Sequence, residues 1–200
     1  MFERPTRSYD GYIFDCDGTL ADSMVVSHQA WLAAFRQHGA TFDFGWELFF
    51  SRAGMTLPKT VEALNEQFGL SLDPAAVSAA QRAEYERFLP AVQPLAPVVE
   101  LAREVARHAR VSVASGGERA IVRRTLELIG LAETITIVIT SEDVTRGKPE
   151  PDMFLLAAER MGVPASDCVV FEDSLFGLEA ARRAGMDSVL VQPPSHGLLR

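Results

Sequence analysis

From residue 95 onward the chain alternates between helical and strand-like hydrophobic periods, and this alternation narrows the available folds more than any other feature. Leu95–Ala109 carries Val98, Leu101, Ala102 and Val105 at helical spacing, and Arg110–Ser115 (RVSVAS) then alternates as a strand. A helix is expected over Glu118–Leu128, with Ile121, Val122, Thr125 and Leu128 on one face and Gly130 ending it. The β-branched run Thr134–Ile139 (TITIVI) reads as a strand. Asp152–Met161 reads as a helix opened by Pro151 and closed by Gly162. Cys168–Phe171, Leu175–Ala184 with Gly185 after it, and Ser188–Gln192 repeat the pattern as strand, helix and strand. Near the start, residues 11–16 (GYIFDC) form a further short strand, apolar on both faces apart from Asp15. Strands joined through helices require right-handed crossovers, so the expected core is α/β, a parallel sheet covered by helices on both faces.

Residues 23–92 interrupt this order. Ser23–His38, Leu57–Phe68 and Pro74–Phe88 are helical by period, and no strand is expected among them. A helical insertion after the first strand accounts for the break, with Pro90, Pro94 and Pro97 marking the return. Two domains are therefore expected: residues 1–22 with 93–200, and residues 23–92. Within the insertion, Trp31 and the aromatic stretch Thr41–Phe50 read as a small core, and Asp22-Ser23 is expected to cap the first inserted helix.

Composition excludes several functions. With 19 Lys+Arg against 27 Asp+Glu the net charge is −8, and a chain without a basic stripe makes a poor nucleic-acid binder. The opening residues contain no apolar secretion signal, and no apolar run approaches the length of a membrane span; a soluble, cytoplasmic protein, monomeric by default, is expected. Cys16 and Cys168, far apart and each in an apolar run, read as buried thiols. An anionic ligand would need positive charge placed locally.

The candidate chemistry lies where the strands end. In open parallel sheets ligands bind beyond the carboxyl ends of the strands. There the sequence places Asp15, Asp17, Gly18 and Thr19; Ser115, Gly116 and Gly117; the loop reaching Lys148; and Glu172 with Asp173. In extended backbone Asp15 and Asp17 share a side. Two carboxylates about 4 Å apart repel by roughly 4 kcal/mol at an effective dielectric of 20. With two more acids beside them, a hard divalent cation is the natural counter-charge, and an all-oxygen set open to phosphate and water suits Mg²⁺. An EF-hand loop is excluded, because a strand precedes Asp15 and the twelfth loop position holds Val26. Ser115-Gly116-Gly117, ending a strand and opening a helix, offers free N–H groups to an anion. Lys148, kept out of helix by Pro149, can face the acids as a phosphate partner.

These segments, FDCDGTLADS, VASGG, RGKPEPDMF and VVFEDSLFGLEAARRAG, resemble the four ordered motifs of the haloacid dehalogenase (HAD) superfamily. The helical insertion resembles the C1 cap of its β-phosphoglucomutase-like subfamily. The stretches PDMFLLAAERMGV and CVVFED are similar to the bacterial fructose-1-phosphate/6-phosphogluconate phosphatase type. The resemblance implies a HAD-like Rossmannoid core and Mg²⁺-dependent hydrolysis of small sugar phosphates. It implies Asp15 as nucleophile and Asp17 as general acid/base. It implies a metal held by the Asp15 carboxylate, the Asp17 carbonyl and Asp173 with Glu172 nearby, and a phosphoryl group held by Ser115, Gly116 and Lys148. Arg52, and more weakly Arg82, are candidates for holding the rest of the substrate. The alternative in the same subfamily is a β-phosphoglucomutase, but those enzymes carry a histidine where Ser27 stands, one residue before His28. They also carry an arginine that the stretch Gly54-Met55-Thr56-Leu57 lacks. A non-catalytic Mg²⁺-binding regulatory module is a further alternative; it would need neither Asp17 nor a helical lid.

Overall fold

The computed structural model describes residues 2–52 and 55–192, so Gly54 of the stretch just compared lies outside the described residues. The described residues form two compact units, one made of the chain up to Asp22 together with the chain from Val92 on, the other of Ser23–Ala91. The chain runs β1 (Gly11–Phe14), β2 (Ala21–Asp22), α1 (Met24–Gln37), α2 (Trp46–Ser51), α3 (Leu57–Phe68) and α4 (Pro74–Phe88). It continues through β3 (Gln93–Pro94), α5 (Ala96–Val105), β4 (Arg110–Ala114), α6 (Arg119–Leu128) and β5 (Ile137–Ile139). It closes with α7 (Asp152–Met161), β6 (Cys168–Glu172), α8 (Leu175–Arg183) and β7 (Asp187–Leu190).

In the first unit five strands form one parallel sheet in the order β5-β4-β1-β6-β7. β1 is central, and all four of its residues are buried, as an apolar run with neighbours on both edges and layers on both faces must be. Alternation divides its side chains. Ile13, with Ala114, Ile139 and Val170, joins Met153, Phe154, Ala157, Ala180 and Ala181 of α7 and α8 in one core. Phe14 points the other way and stacks on Phe171, with ring centroids 4.9 Å apart. The register aligns the strand ends: Phe14 pairs with Val113 on one side and Phe171 on the other, so the next residues, Asp15, Ala114-Ser115 and Glu172, emerge at neighbouring levels. β2 and β3 form a separate antiparallel ribbon, with Asp22 opposite Gln93, where the chain leaves for the second unit and returns.

The second unit is helical. Trp31, Ala34 and Phe35 of α1 bury against Phe44, Phe49, Val61, Leu64 and Val77. α4 opens at Pro74, and the Asp73 side chain caps it by accepting from the N–H groups of Ala75 and Ala76. His28 belongs to this aromatic core: its ring stacks on Trp46 at 4.3 Å, and Nε2 donates to the Phe44 carbonyl at 2.7 Å.

Two expectations are corrected. Ser23 occupies the N-cap of α1, but its side chain accepts no capping hydrogen bond, and the buried Asp22 Oδ1 has no hydrogen-bond partner. The strand expected over Thr134–Ile139 shrinks to Ile137–Ile139: Leu131 O accepts from the N–H groups of Thr134 and Ile135, and that turn buries Ile135 without a sheet partner. The aromatic stretch 41–50 forms part of the second unit's core, as expected, and contains a short helix, α2, along which Trp46, Phe49 and Phe50 meet.

Candidate active site

All the chemistry of the first unit gathers at the carboxyl edge of its sheet. Asp15 follows β1 directly; its N–H donates to Phe171 O at 2.9 Å, extending the β1–β6 pairing one residue beyond the strand. The chain then turns sharply. Cys16 O accepts from Leu20 and Ala21 N–H at 3.0 Å, and Gly18 N–H donates to Ala21 O at 2.8 Å. The turn needs Gly18 twice over: its φ is +81°, and a Cβ there would lie 2.1 Å from Asp173 Oδ2. The DxDG turn is thereby pressed against the acids at the end of β6.

At the end of β4, Ser115 is 1% exposed, and its N–H donates to Ile139 O at 3.0 Å. Its hydroxyl accepts from Gly117 N–H at 3.1 Å, closing a tight turn before α6. Gly116 stands exposed on that turn, and a Cβ on Gly117 would approach Asp17 Oδ2 to 3.7 Å, so the turn lies beside the second aspartate.

After β5 the loop is tied down by Asp143. Its carboxylate accepts from Thr140 N–H at 2.9 Å and from the Thr140 hydroxyl at 3.1 Å, and it also pairs with Arg119 and Arg160. Burial pushes this carboxyl's pKa up, but the Thr140 bonds and Arg119 outweigh it and hold the group below its usual range. The anchored loop delivers Lys148, which precedes Pro149 through a cis peptide bond. Lys148 Nζ donates to Asp15 Oδ1 at 2.6 Å and to Glu172 Oε1 at 2.5 Å, and lies 5.2 Å from the centre of the Phe154 ring. Glu172, at the end of β6, is 1% exposed and accepts on Oε2 from the Ser174 N–H at 2.7 Å and hydroxyl at 2.9 Å.

The electrostatics show what is missing. Among the described residues, Lys148 is the cation bonded to this group of acids, Asp15, Asp17, Glu172 and Asp173. Desolvation pushes the Asp15 carboxyl up to about 7; Lys148 opposes the rise, while Glu172 and Asp17 add to it. Desolvation likewise drives Asp173 up to about 9, with Asp15 and Glu172 as further causes. Burial alone would lower the Lys148 pKa, but Asp15 and Glu172 more than offset it, so the ammonium is held charged. Oxygens of Asp15, Glu172 and Asp173 lie within 4.8 Å of one another. Three converging hard oxygen donors in a buried acidic cluster fit a divalent cation of the Mg²⁺ type.

Asp15, Asp17, Ser115, Gly116, Lys148 and Asp173 thus all meet at one edge of the first unit. Arg52 lies in the second unit, where its guanidinium donates to Gln67 and its Nε is buried without a hydrogen-bond partner; Arg82 is exposed on α4. Sequence reasoning placed Glu172 only as a neighbour of the metal and did not find its bond to Lys148. It also missed Gly177, whose absent side chain leaves room for that carboxylate. Neither has a local signal, because each depends on residues from another element.

A family model described as haloacid dehalogenase-like hydrolase matches residues 9–185. The fructose-1-phosphate phosphatase YqaB of Escherichia coli (strain K12) is 37% identical over 194 residues, covering 96% of this chain and 99% of its own. Hexitol phosphatase A of the same organism is 26% identical over 92% of this chain and 84% of its own. Among solved structures, a hydrolase from Pseudomonas syringae superposes with a TM-score of 0.75 at 28% identity, covering 90% of this chain and 83% of that one.

Proposed function

The chain belongs to the haloacid dehalogenase-like hydrolases, and from that premise we propose that it is a Mg²⁺-dependent phosphatase of small sugar phosphates, working through an aspartyl-phosphate on Asp15. One observation carries the reading: Lys148 Nζ rests 2.6 Å from Asp15 Oδ1 within a buried cluster of acids that lacks counter-charge. The named relatives act on fructose 1-phosphate and on hexitol phosphates, which supports a sugar or sugar-alcohol phosphate as the substrate class.

In this reading Asp15 attacks the phosphorus and Asp17, the second aspartate of the turn, protonates the leaving alcohol. Asp17 then takes a proton from the water that cleaves the acyl phosphate, and Asp15 is regenerated. Lys148, the Ser115 hydroxyl and the Gly116 N–H hold the non-bridging phosphoryl oxygens. Asp15, the Asp17 carbonyl and Asp173 would hold the cation, whose contribution is to neutralise phosphate charge and let two carboxylates stay ionised side by side. Residues 23–92 would serve as a cap and select the substrate.

The mutase alternative is not favoured. His28, the nearest candidate for that branch's histidine, spends its Nε2 proton on the Phe44 carbonyl inside an aromatic core.

Phosphate release from a panel of hexose, hexitol and sugar-acid phosphates tests the proposal. Turnover should require Mg²⁺ and fall by about a thousandfold or more in Asp15→Asn, since covalent catalysis has no substitute for its nucleophile. Substantial turnover by that variant would remove Asp15 from its role.

A further inference from the structure

Glu172 is the most deeply buried acid of the site; besides offering an oxygen to the acidic cluster, it bonds to groups outside it. Its two oxygens are differently engaged. Oε1 receives the Lys148 ammonium, while Oε2 receives the N–H and the hydroxyl of Ser174, the N-cap of α8. The Ser174 hydroxyl accepts in turn from Gly177 N–H at 3.0 Å. An unbroken line of hydrogen bonds therefore runs from the first turn of α8 through Ser174 and Glu172 to Lys148, and from there to Asp15.

We infer that Glu172 is a positioning residue that aims Lys148, and that Gly177 is glycine because the Glu172 carboxylate occupies the space of its missing side chain. The inference rests on the reading of Asp15 and Lys148 as phosphoryl-transfer groups.

The steric observation is specific. A Cβ on residue 177 would stand 2.0 Å from both Cδ and Oε1 of Glu172 and 2.4 Å from its Cγ. Those atoms are the end of a flexible side chain, so α8 can keep its place and the carboxylate gives way instead. Lysine is a point charge on a four-carbon stem, and a single partner leaves it several rotamers. Held by Asp15 and Glu172 together, Nζ is fixed, and of its three protons one is left for a phosphoryl oxygen. Gly177→Ala would therefore act at a distance, by evicting Glu172 and freeing Lys148.

A double-mutant cycle separates this from a general structural effect, with para-nitrophenyl phosphate as the probe substrate. Gly177→Ala and Glu172→Ala should each lower kcat about tenfold or more while moving KM by less than about threefold, the mark of a lost alignment. The double variant should be no slower than Glu172→Ala, because the alanine then displaces nothing; multiplied losses would overturn the inference. If Gly177→Ala does not fold, as judged by its melting curve, Ser174→Ala takes its place in the cycle, since it removes the hydroxyl bond to Oε2 along with the cap on Gly177 N–H and adds no steric push on Glu172. Brief acetylation followed by peptide mass spectrometry gives a readout without turnover. Lys148 should be protected in the parent protein and labelled at least about threefold more in folded Gly177→Ala and Glu172→Ala, because rotamer freedom and access rise together. Unchanged labelling would overturn the inference. A parent protein that hydrolyses nothing would instead overturn the phosphatase reading, with the labelling arm still reporting on Lys148.

Discussion

Asp15 and Asp173 carry a signature that can be read without any substrate. Both carboxyls have folded-state pKa values, about 7 and about 9, well above the usual carboxylate range. Between the unfolded value and those figures the folded protein holds protons that the unfolded chain has released. Stability therefore falls as pH rises, first across the interval ending near 7 and then across that ending near 9. Mg²⁺ competes with those protons for the same oxygens, so it should stabilise more at high pH than at low. Melting temperatures from pH 5 to pH 9, in chelator and in excess Mg²⁺, should diverge as pH rises. Parallel curves would show that the cluster does not take the ion. The residue types at this site were legible in the sequence because each follows a strand, and a strand end in a parallel sheet has one destination. Glu172's grip on Lys148 was not, since it is fixed by a hydroxyl at 174 and an absent side chain at 177, neither of which has a meaning outside the folded turn.

Among the elements, loops carry more of the site than their sequence suggests. Asp143 accepts from Thr140, Arg119 and Arg160, and so fixes the start of the segment that delivers Lys148. Asp143→Ala leaves those donors without their acceptor and should cost about 2–3 kcal/mol by urea unfolding, with a parallel fall in phosphate release. In the second unit, Asp73→Ala removes the side-chain cap of α4 and should cost about 1 kcal/mol while sparing the chemistry of the first unit. α3, α4 and α7 appear at the bounds their apolar period and flanking Pro or Gly residues specify. The period misleads where tertiary burial replaces pairing: Ile135 satisfies its β-branched side chain in a turn rather than in a strand. α2 has six residues, too few for a helical period to stand out from an aromatic run.

At the scale of the whole molecule, each unit has a core of its own, one around Ile13, Phe154 and Val170, the other around Trp31, Phe44 and Leu64. The chain crosses between them beside the β2–β3 ribbon, where Asp22 faces Gln93. Replacing residues 23–92 by an Asn-Gly turn should close that ribbon as a hairpin and leave the first unit folded. A cooperative thermal transition with α/β circular dichroism is the expected result, and a non-cooperative one would mean that the sheet unit cannot stand alone. The alignment of Phe14 with Val113 and Phe171 has a different consequence, for how such a protein can change. Because side chains alternate faces along a strand, removing or adding one residue within β1, β4 or β6 swings the reactive group behind it to the wrong side of the sheet. Apolar residues within those three strands can be exchanged for others of similar size, but the spacing of the strands is closed to insertions and deletions.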